Sequence, residues 1–219
     1  RIEFPHLLNL LQFVQFDTIY HEHYSYLSLI ALIPLFDRAW LTISDVETLP
    51  VHGGSLRITV QHKTDDITPS DRMIALIERE KKAGLHDKSR YQAFASTIKT
   101  INTKLHDIIN HINQEGKLVA AYGAPAKGNT LLNAAALDTS HIAFTVDKAL
   151  SKQGRFLPGS GIPILSPDAL LTYEPDVILI LPWNLKDEII NEVTTLMKRP
   201  QRFIIPIPEP VLITASYSQ

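Results

Sequence analysis

"KLVAAYGAPAKGNTLLNAAAL", Lys117–Leu137, decides the fold class. It opens with a near-continuous apolar run, turns through glycine and proline, and closes with a short helix-forming segment, "NTLLNAAAL". A strand apolar on both faces that leads into a helix is the unit of a parallel sheet covered on both sides. The pattern recurs downstream. "HIAFTVD" reads as a second strand, and "SPDALL" as a helix with Ser166 at the N-cap and Pro167 at N1. "PDVILILP" is a third strand, "KDEIINEVTTLMKR" an amphipathic helix and "RFIIPIP" a fourth strand. Residues 116–219 are therefore expected to form a Rossmann-like α/β domain.

Upstream, residues 66–115 read as a helical linker. From Ser89, the residues Tyr91, Phe94, Ile98, Ile101, Leu105, Ile108 and Ile112 fall at alternating spacings of 3 and 4. Gly116 stands where a helix would stop. The stripe fits a packing helix between two domains, or a short coiled-coil seam. Residues 1–65 open with "RIEF", a strand running into Pro5, followed by a polar loop and an apolar helix near 24–36. "LTISDVE" and "SLRITVQH" alternate with period 2 around "TLPVHGG" and predict a hairpin. The chain has no initiator methionine, and is expected to begin inside a larger structure.

Composition narrows the function. Of the 219 residues, 45% are hydrophobic and 20% charged, an ordinary globular balance. A net charge of -2 with no Lys/Arg stripe argues against nucleic acid as a partner. The absence of cysteine removes disulfides, thiol nucleophiles and Cys-based zinc sites. No apolar segment is long enough to span a bilayer and no signal peptide is visible, so no membrane partner and a cytoplasmic location are expected.

In "YGAPAKGNT", Gly123 and Gly128 permit close backbone approach, and Lys127 places a cation where a helix begins. This fits phosphate or pyrophosphate binding, although the spacing matches neither a dinucleotide fingerprint nor a P-loop. A tight strand-to-helix turn with a solvated lysine fits as well. Asp147, at the end of the second strand, could hold a ribose hydroxyl of NAD, a weak signal by itself. "SKQGRFLPGSGIPI", with Lys152 and Arg155, is either a ligand-touching loop or a plain connection.

"IYHEHYSYLSL", Ile19–Leu29, admits three readings. His21 and His23 could begin a metal site, but zinc needs a third ligand, and none of His6, His52 or His62 has diagnostic spacing; no metal is assigned. A hydrogen-bonded His/Tyr-rich helix start is the second reading. Acid/base chemistry is the third: a histidine titrating near neutrality, a carboxylate to orient it and a phenol to meet oxyanion charge. His23, Glu22 and Tyr20 supply these.

"FDTIYHEHYSYLSL", "DVETLPVHGGSLRI" and "AYGAPAKGNTLLN" resemble, in this order, motifs of the SAM-dependent sugar C-methyltransferases. The likeness runs from about residue 2 to about residue 208. It implies a cysteine-ligated zinc domain, a SAM-binding domain and a Rossmann-like C-terminal domain. This chain has no cysteine set and no glycine-rich SAM loop. "RIEFP" then resembles the fifth strand of a class I methyltransferase sheet, and the 41–62 hairpin its last two strands. The expected fold is thus α/β: the last strands and helix of that sheet, a long linking helix, and a Rossmann-like domain with a parallel sheet.

The resemblance also implies a reaction. C3 of a nucleotide-linked 4-ketosugar is deprotonated, and the enolate carbon takes the methyl group of S-adenosyl-L-methionine, in deoxysugar biosynthesis. By motif position, His23 is the base, Tyr20 bonds the ketone oxygen, and Glu22 positions His23 or a sugar hydroxyl. Gly123, Lys127 and Asn129 would contact the nucleotide sugar, and Ser55 and Arg57 its diphosphate or sugar. The chain would then be the acceptor half of a methyltransferase, inactive without its SAM-binding strands. The alternative is a non-catalytic nucleotide-sugar binding module. In either case the sheet edges in residues 1–65 would be exposed, so self-association through these strands is expected.

Overall fold

A computed structural model describes residues 1–50, 53–64 and 66–217. The chain divides into two compact units: Arg1–Gln15 with His21–Thr97, and Phe16–Tyr20 with Ile98–Gln219.

The first unit holds β1 (Ile2–Pro5), α1 (Leu7–Gln12), α2 (Leu29–Arg38), β2 (Leu41–Leu49), β3 (Ser55–His62) and α3 (Asp71–Lys82). Its sheet has the order β1-β3-β2, and both pairings are antiparallel, so β1 and β2 run parallel with β3 inserted between them. The predicted hairpin is in place, with an irregular register between Ile43 and Asp45. Period-2 alternation turns Leu56 and Ile58 inward, and the irregularity after Ile43 brings Val46 to the same face as Ile43, where Leu29, Leu32, Met73 and Leu76 close the core. At the tip of the hairpin, Val51 and His52 lie outside the described residues, as does Asp65. Ser70 caps α3 by accepting the Met73 N–H at 3.2 Å.

Two expectations for this unit shift. The helix predicted near 24–36 starts only at Leu29, because the carboxylate of Glu80 accepts the N–H groups of Leu29 and Ile30 and fixes the first turn there. The six residues of α1 were not expected as a helix.

The linker region is two helices: α3, and then α4 (Lys88–Gln114), separated by a turn in which Gly84 has a φ of 74°. The buried positions in the later part of α4 are Ile101, Leu105, Ile109 and Ile112, while Tyr91 is exposed and Phe94 and Ile98 half-buried. Ile109 replaces Ile108 in the stripe. This follows the 3.6-residue period of a packing helix rather than the 3.5-residue seam of a coiled coil. Gly116 ends the helix as expected, at a φ of 72°, with the Lys117 N–H donating back to the Ile112 carbonyl at 3.3 Å.

The second unit is built on a six-stranded sheet: β4 (Val119–Tyr122), β5 (Thr145–Val146), β6 (Ile164–Leu165), β7 (Val177–Ile180), β8 (Gln201–Ile205) and β9 (Val211–Ala215). The order is β6-β5-β4-β7-β8-β9, parallel except for the last pair. It is the Rossmann-like sheet expected, extended by β6 and the antiparallel edge strand β9, which were not. The helices are α5 (Ala126–Ala134), α6 (Ala169–Tyr173) and α7 (Lys186–Met197). Alternate sheet residues Ala120, Tyr122, Ile178, Ile180, Phe203 and Ile205 form one core with Ile189, Val193 and Met197 of α7. Ser166 does not cap α6: Asp168 sits at the N-cap, and Ser166 contributes its carbonyl to the Ala169 N–H. Among the described residues no helix is long and apolar enough to cross a membrane.

Candidate functional site

The sheet of the second unit reverses direction between β4 and β7. From β4 the chain passes through α5 to β5 and β6 on one side, while β7, β8 and β9 build the other. Ligands of open α/β sheets bind beyond the carboxyl ends of the strands at such a reversal. The "YGAPAKGN" turn leaves β4 at this place, and "PWN" leaves β7 beside it.

Gly123 makes the turn possible. Its φ is 88°, and a Cβ there would stand 2.7 Å from Pro182. Its N–H donates to Val146, and its carbonyl accepts from the Thr145 hydroxyl at 2.7 Å. Gly128 has a different use from the one expected. It lies on the buried face of α5, where an added Cβ would be 2.7 Å from the Leu181 Cβ, so it seats the helix against the chain leaving β7 rather than admitting a ligand. Gly128→Ala is expected to cost about 1–3 kcal/mol through overpacking, measurable as a lower urea midpoint.

Lys127 stands in the first turn of α5, whose N-terminus has no side-chain cap. The ammonium lies 4.9 Å from the centre of the Trp183 ring and donates to Asn184 Oδ1. Burial pulls it below the usual lysine range, and the charge of Asp17 offsets part of this. Asn129 follows on α5, its Oδ1 shielded from solvent and without a hydrogen-bond partner. A cation and uncapped helix N–H groups over an aromatic ring form an anion-binding edge.

Asp17, inside the "FDTIYHEHYSYLSL" motif but given no role there, completes the cluster. It lies on a single 3₁₀ turn, Phe16–Thr18, that packs on α5. Fully buried, it accepts the Trp183 indole N–H on Oδ2 at 2.6 Å. Burial pushes its carboxyl above the ordinary aspartate range, against the opposing pull of Trp183 and Lys127.

Asp147 has local work. Its oxygens accept the Ala124 N–H at 2.7 Å, the Ala149 N–H at 2.8 Å and the Lys152 ammonium at 3.1 Å. It ties the turn after β4 to the loop after β5, and thus favours a structural role over the ribose contact.

Tyr20 belongs to the second unit and is half-buried, with its N–H donating to the Thr18 carbonyl at 3.1 Å. Glu22 and His23 belong to the first unit, on the loop before α2. Glu22 is exposed in a turn with His21, and His23 is half-buried. Tyr24 is 95% exposed. Among the described residues no group of three His, Asp or Glu side chains is placed to hold a metal; His52, weighed as a ligand, lies outside them.

Ser55 is buried at the start of β3. Arg57, two residues on, sits opposite Glu3 of β1 and Glu47 of β2 in register, with carboxylate distances of 2.9 and 3.1 Å. Two carboxylates already occupy its guanidinium.

A family profile described as the C-methyltransferase C-terminal domain matches residues 50–208. Over 214 residues the chain is 39% identical to the C-methyltransferase NovU of Streptomyces niveus, a match covering 98% of this chain and 51% of that protein. The chain spans about half the length of the curated relative it matches.

Proposed function

The chain belongs to the C-methyltransferase family, whose C-terminal domain it carries, and from that premise we propose that it is the acceptor-sugar half of such an enzyme. In this reading the carboxyl edge of the β4–β7 sheet takes a nucleotide-linked 4-ketosugar, and the loop Tyr20–His23 performs its acid/base chemistry. The observation that carries the reading is Lys127, a half-buried cation at the uncapped start of α5 beside an aromatic ring. It would meet the diphosphate, with Gly123 holding the turn and Asn129 offering an amide.

His23 would remove the proton on C3, which the neighbouring C4 carbonyl acidifies. Glu22 would orient the imidazole or a sugar hydroxyl. The Tyr20 hydroxyl would donate to the ketone oxygen as negative charge accumulates there. Ser55 would contribute at the diphosphate or sugar, and Arg57 could do so only by giving up Glu3 or Glu47.

The family implies S-adenosyl-L-methionine as methyl donor. The residues of this chain do not fit it: the sequence carries no glycine-rich SAM loop, its paired glycines being those of the β2–β3 connection, so the steps assigned here end at the enolate. The same feature favours a second reading, a nucleotide-sugar binding module without catalysis. β1 and β2 are the edges of their sheet, so self-association through residues 1–65 belongs to either reading.

Separate calorimetric titrations with a dTDP-4-ketosugar and with SAM test the proposal. Saturable sugar-nucleotide binding without SAM binding is expected. Micromolar SAM affinity would overturn the assignment of this chain to the acceptor half, and absence of sugar-nucleotide binding would overturn the assignment of the β4–β7 edge.

A further inference from the structure

We propose that Asp17, together with Asn129, is a ligand-binding residue: the two side chains accept hydrogen bonds from donor groups of the nucleotide sugar whose anionic part lies on Lys127. The inference rests on the proposed function and adds the part of the site that binds donors.

Two buried acceptors lack partners at one place in the fold. Asp17 has no exposed surface; its Oδ2 accepts the Trp183 indole N–H, the backbone N–H groups of Asp17 and Thr18 also draw on the carboxyl, and its Oδ1 has no hydrogen-bond partner of good geometry. Asn129 Oδ1 is in the same condition on α5, the helix against which the Asp17 turn packs. Native proteins rarely leave buried acceptors unbonded, because each loses its hydration without recompense. The missing partner must donate. The nearby cation does not fill the gap, since the Lys127 ammonium donates to Asn184 instead. Both oxygens are shielded, so a ligand reaches them only if a side chain moves.

Asp17 holds its proton more tightly folded than unfolded. Its contribution is therefore fully present below the unfolded value of 3.8 and is lost as pH rises through the raised folded value.

Sugar hydroxyls and the imide N–H of a pyrimidine base are both donors, and the experiment separates them. The chain has two tryptophans, so Trp40→Phe leaves Trp183 as the sole reporter. In that background, dTDP and dTDP-glucose are titrated by Trp183 fluorescence into the otherwise wild-type chain and into Asp17→Asn. The asparagine carbonyl can still accept the indole N–H, but its NH₂ replaces the free acceptor. Asp17→Asn is expected to bind dTDP-glucose at least about tenfold more weakly, as expected for replacing a buried acceptor with a donor, and to show a higher urea midpoint at pH 7. Equal weakening of dTDP assigns the donor to the base, and unchanged dTDP binding assigns it to the sugar. Unchanged affinity for both ligands overturns the proposal, as does weaker binding accompanied by lower stability, the mark of a merely structural residue. If the Trp40→Phe chain binds neither ligand, the proposed function falls as well. Asn129→Leu provides the second variant and should weaken the same ligand as Asp17→Asn; a different ligand would overturn the pairing of the two acceptors.

Discussion

His23→Ala, placed in this chain joined to a SAM-binding portion, is expected to lower turnover by about 10²–10⁴-fold, the usual contribution of a general base. His23 is half-buried on the loop before α2, whereas His21, the other imidazole of the loop, is exposed. Removing the His23 imidazole takes away the group assigned to proton abstraction at C3 but leaves Lys127, Asn129 and Trp183 intact, since all three belong to the other unit. kcat and kcat/KM should therefore fall together, with sugar-nucleotide affinity little changed. Stability should move by less than about 0.5 kcal/mol, because the residue lies on a half-buried loop outside both cores. Steady-state kinetics with the ketosugar, together with deuterium exchange at C3, measure both halves of the claim. Slow exchange with slow methylation places His23 at proton removal. Turnover equal to wild type would remove the imidazole from the mechanism.

The second unit was legible in the sequence because its strands carry their burial locally. Val177–Ile180 is apolar at every position and fully buried, and such a run has few alternatives. The hairpin was legible for the complementary reason, alternation on either side of a glycine pair, although the irregularity after Ile43 was not. Elements whose existence depends on neighbours were not. "HIAFTVD" reads as seven residues of strand, but the register with β4 and β6 covers Thr145 and Val146, while Ala143, Phe144 and Asp147 add single flanking backbone bonds, and β6 itself is two residues long. The candidate site divides in the same way. Lys127 announces itself by standing in a turn after a strand. Asp17 does not, because its partner Trp183 is 166 residues away and its motif drew attention to the Tyr, Glu and His that follow. The carboxylate that fixes the start of α2 is equally remote in sequence, 51 residues from Leu29. Local pattern finds elements; contacts between distant side chains decide where they begin and what they hold.

That carboxylate gives the second large effect. Glu80→Ala is expected to destabilise the first unit by about 3–5 kcal/mol, the range for removing one member of a buried charged network. Glu80 lies on α3 with no exposed surface. Its Oε1 accepts from Leu29 N–H at 2.8 Å and from the buried His6 Nε2 at 2.7 Å, and its Oε2 accepts from Ile30 N–H at 2.8 Å. Ser28, at the N-cap of α2, makes no side-chain cap bond, so Glu80 alone serves these two helix donors. Alanine would leave two amides and an imidazole buried without an acceptor, and would remove negative charge from the positive end of α2. Glu80→Gln keeps the shape but turns an NH₂ toward a donor, and should cost about 1–3 kcal/mol. Urea unfolding measures the loss. Amide exchange locates it, because Leu29 and Ile30 should lose protection before the strands of the same unit do. A Glu80→Ala loss below about 1 kcal/mol would mean that water replaces the carboxylate and that the start of α2 is held by packing. At the expected size, the loop bearing Glu22 and His23 ends on a helix turn anchored by a carboxylate on α3. Glu80→Gln would then lower kcat through that anchor alone, since no step of the proposed chemistry uses Glu80.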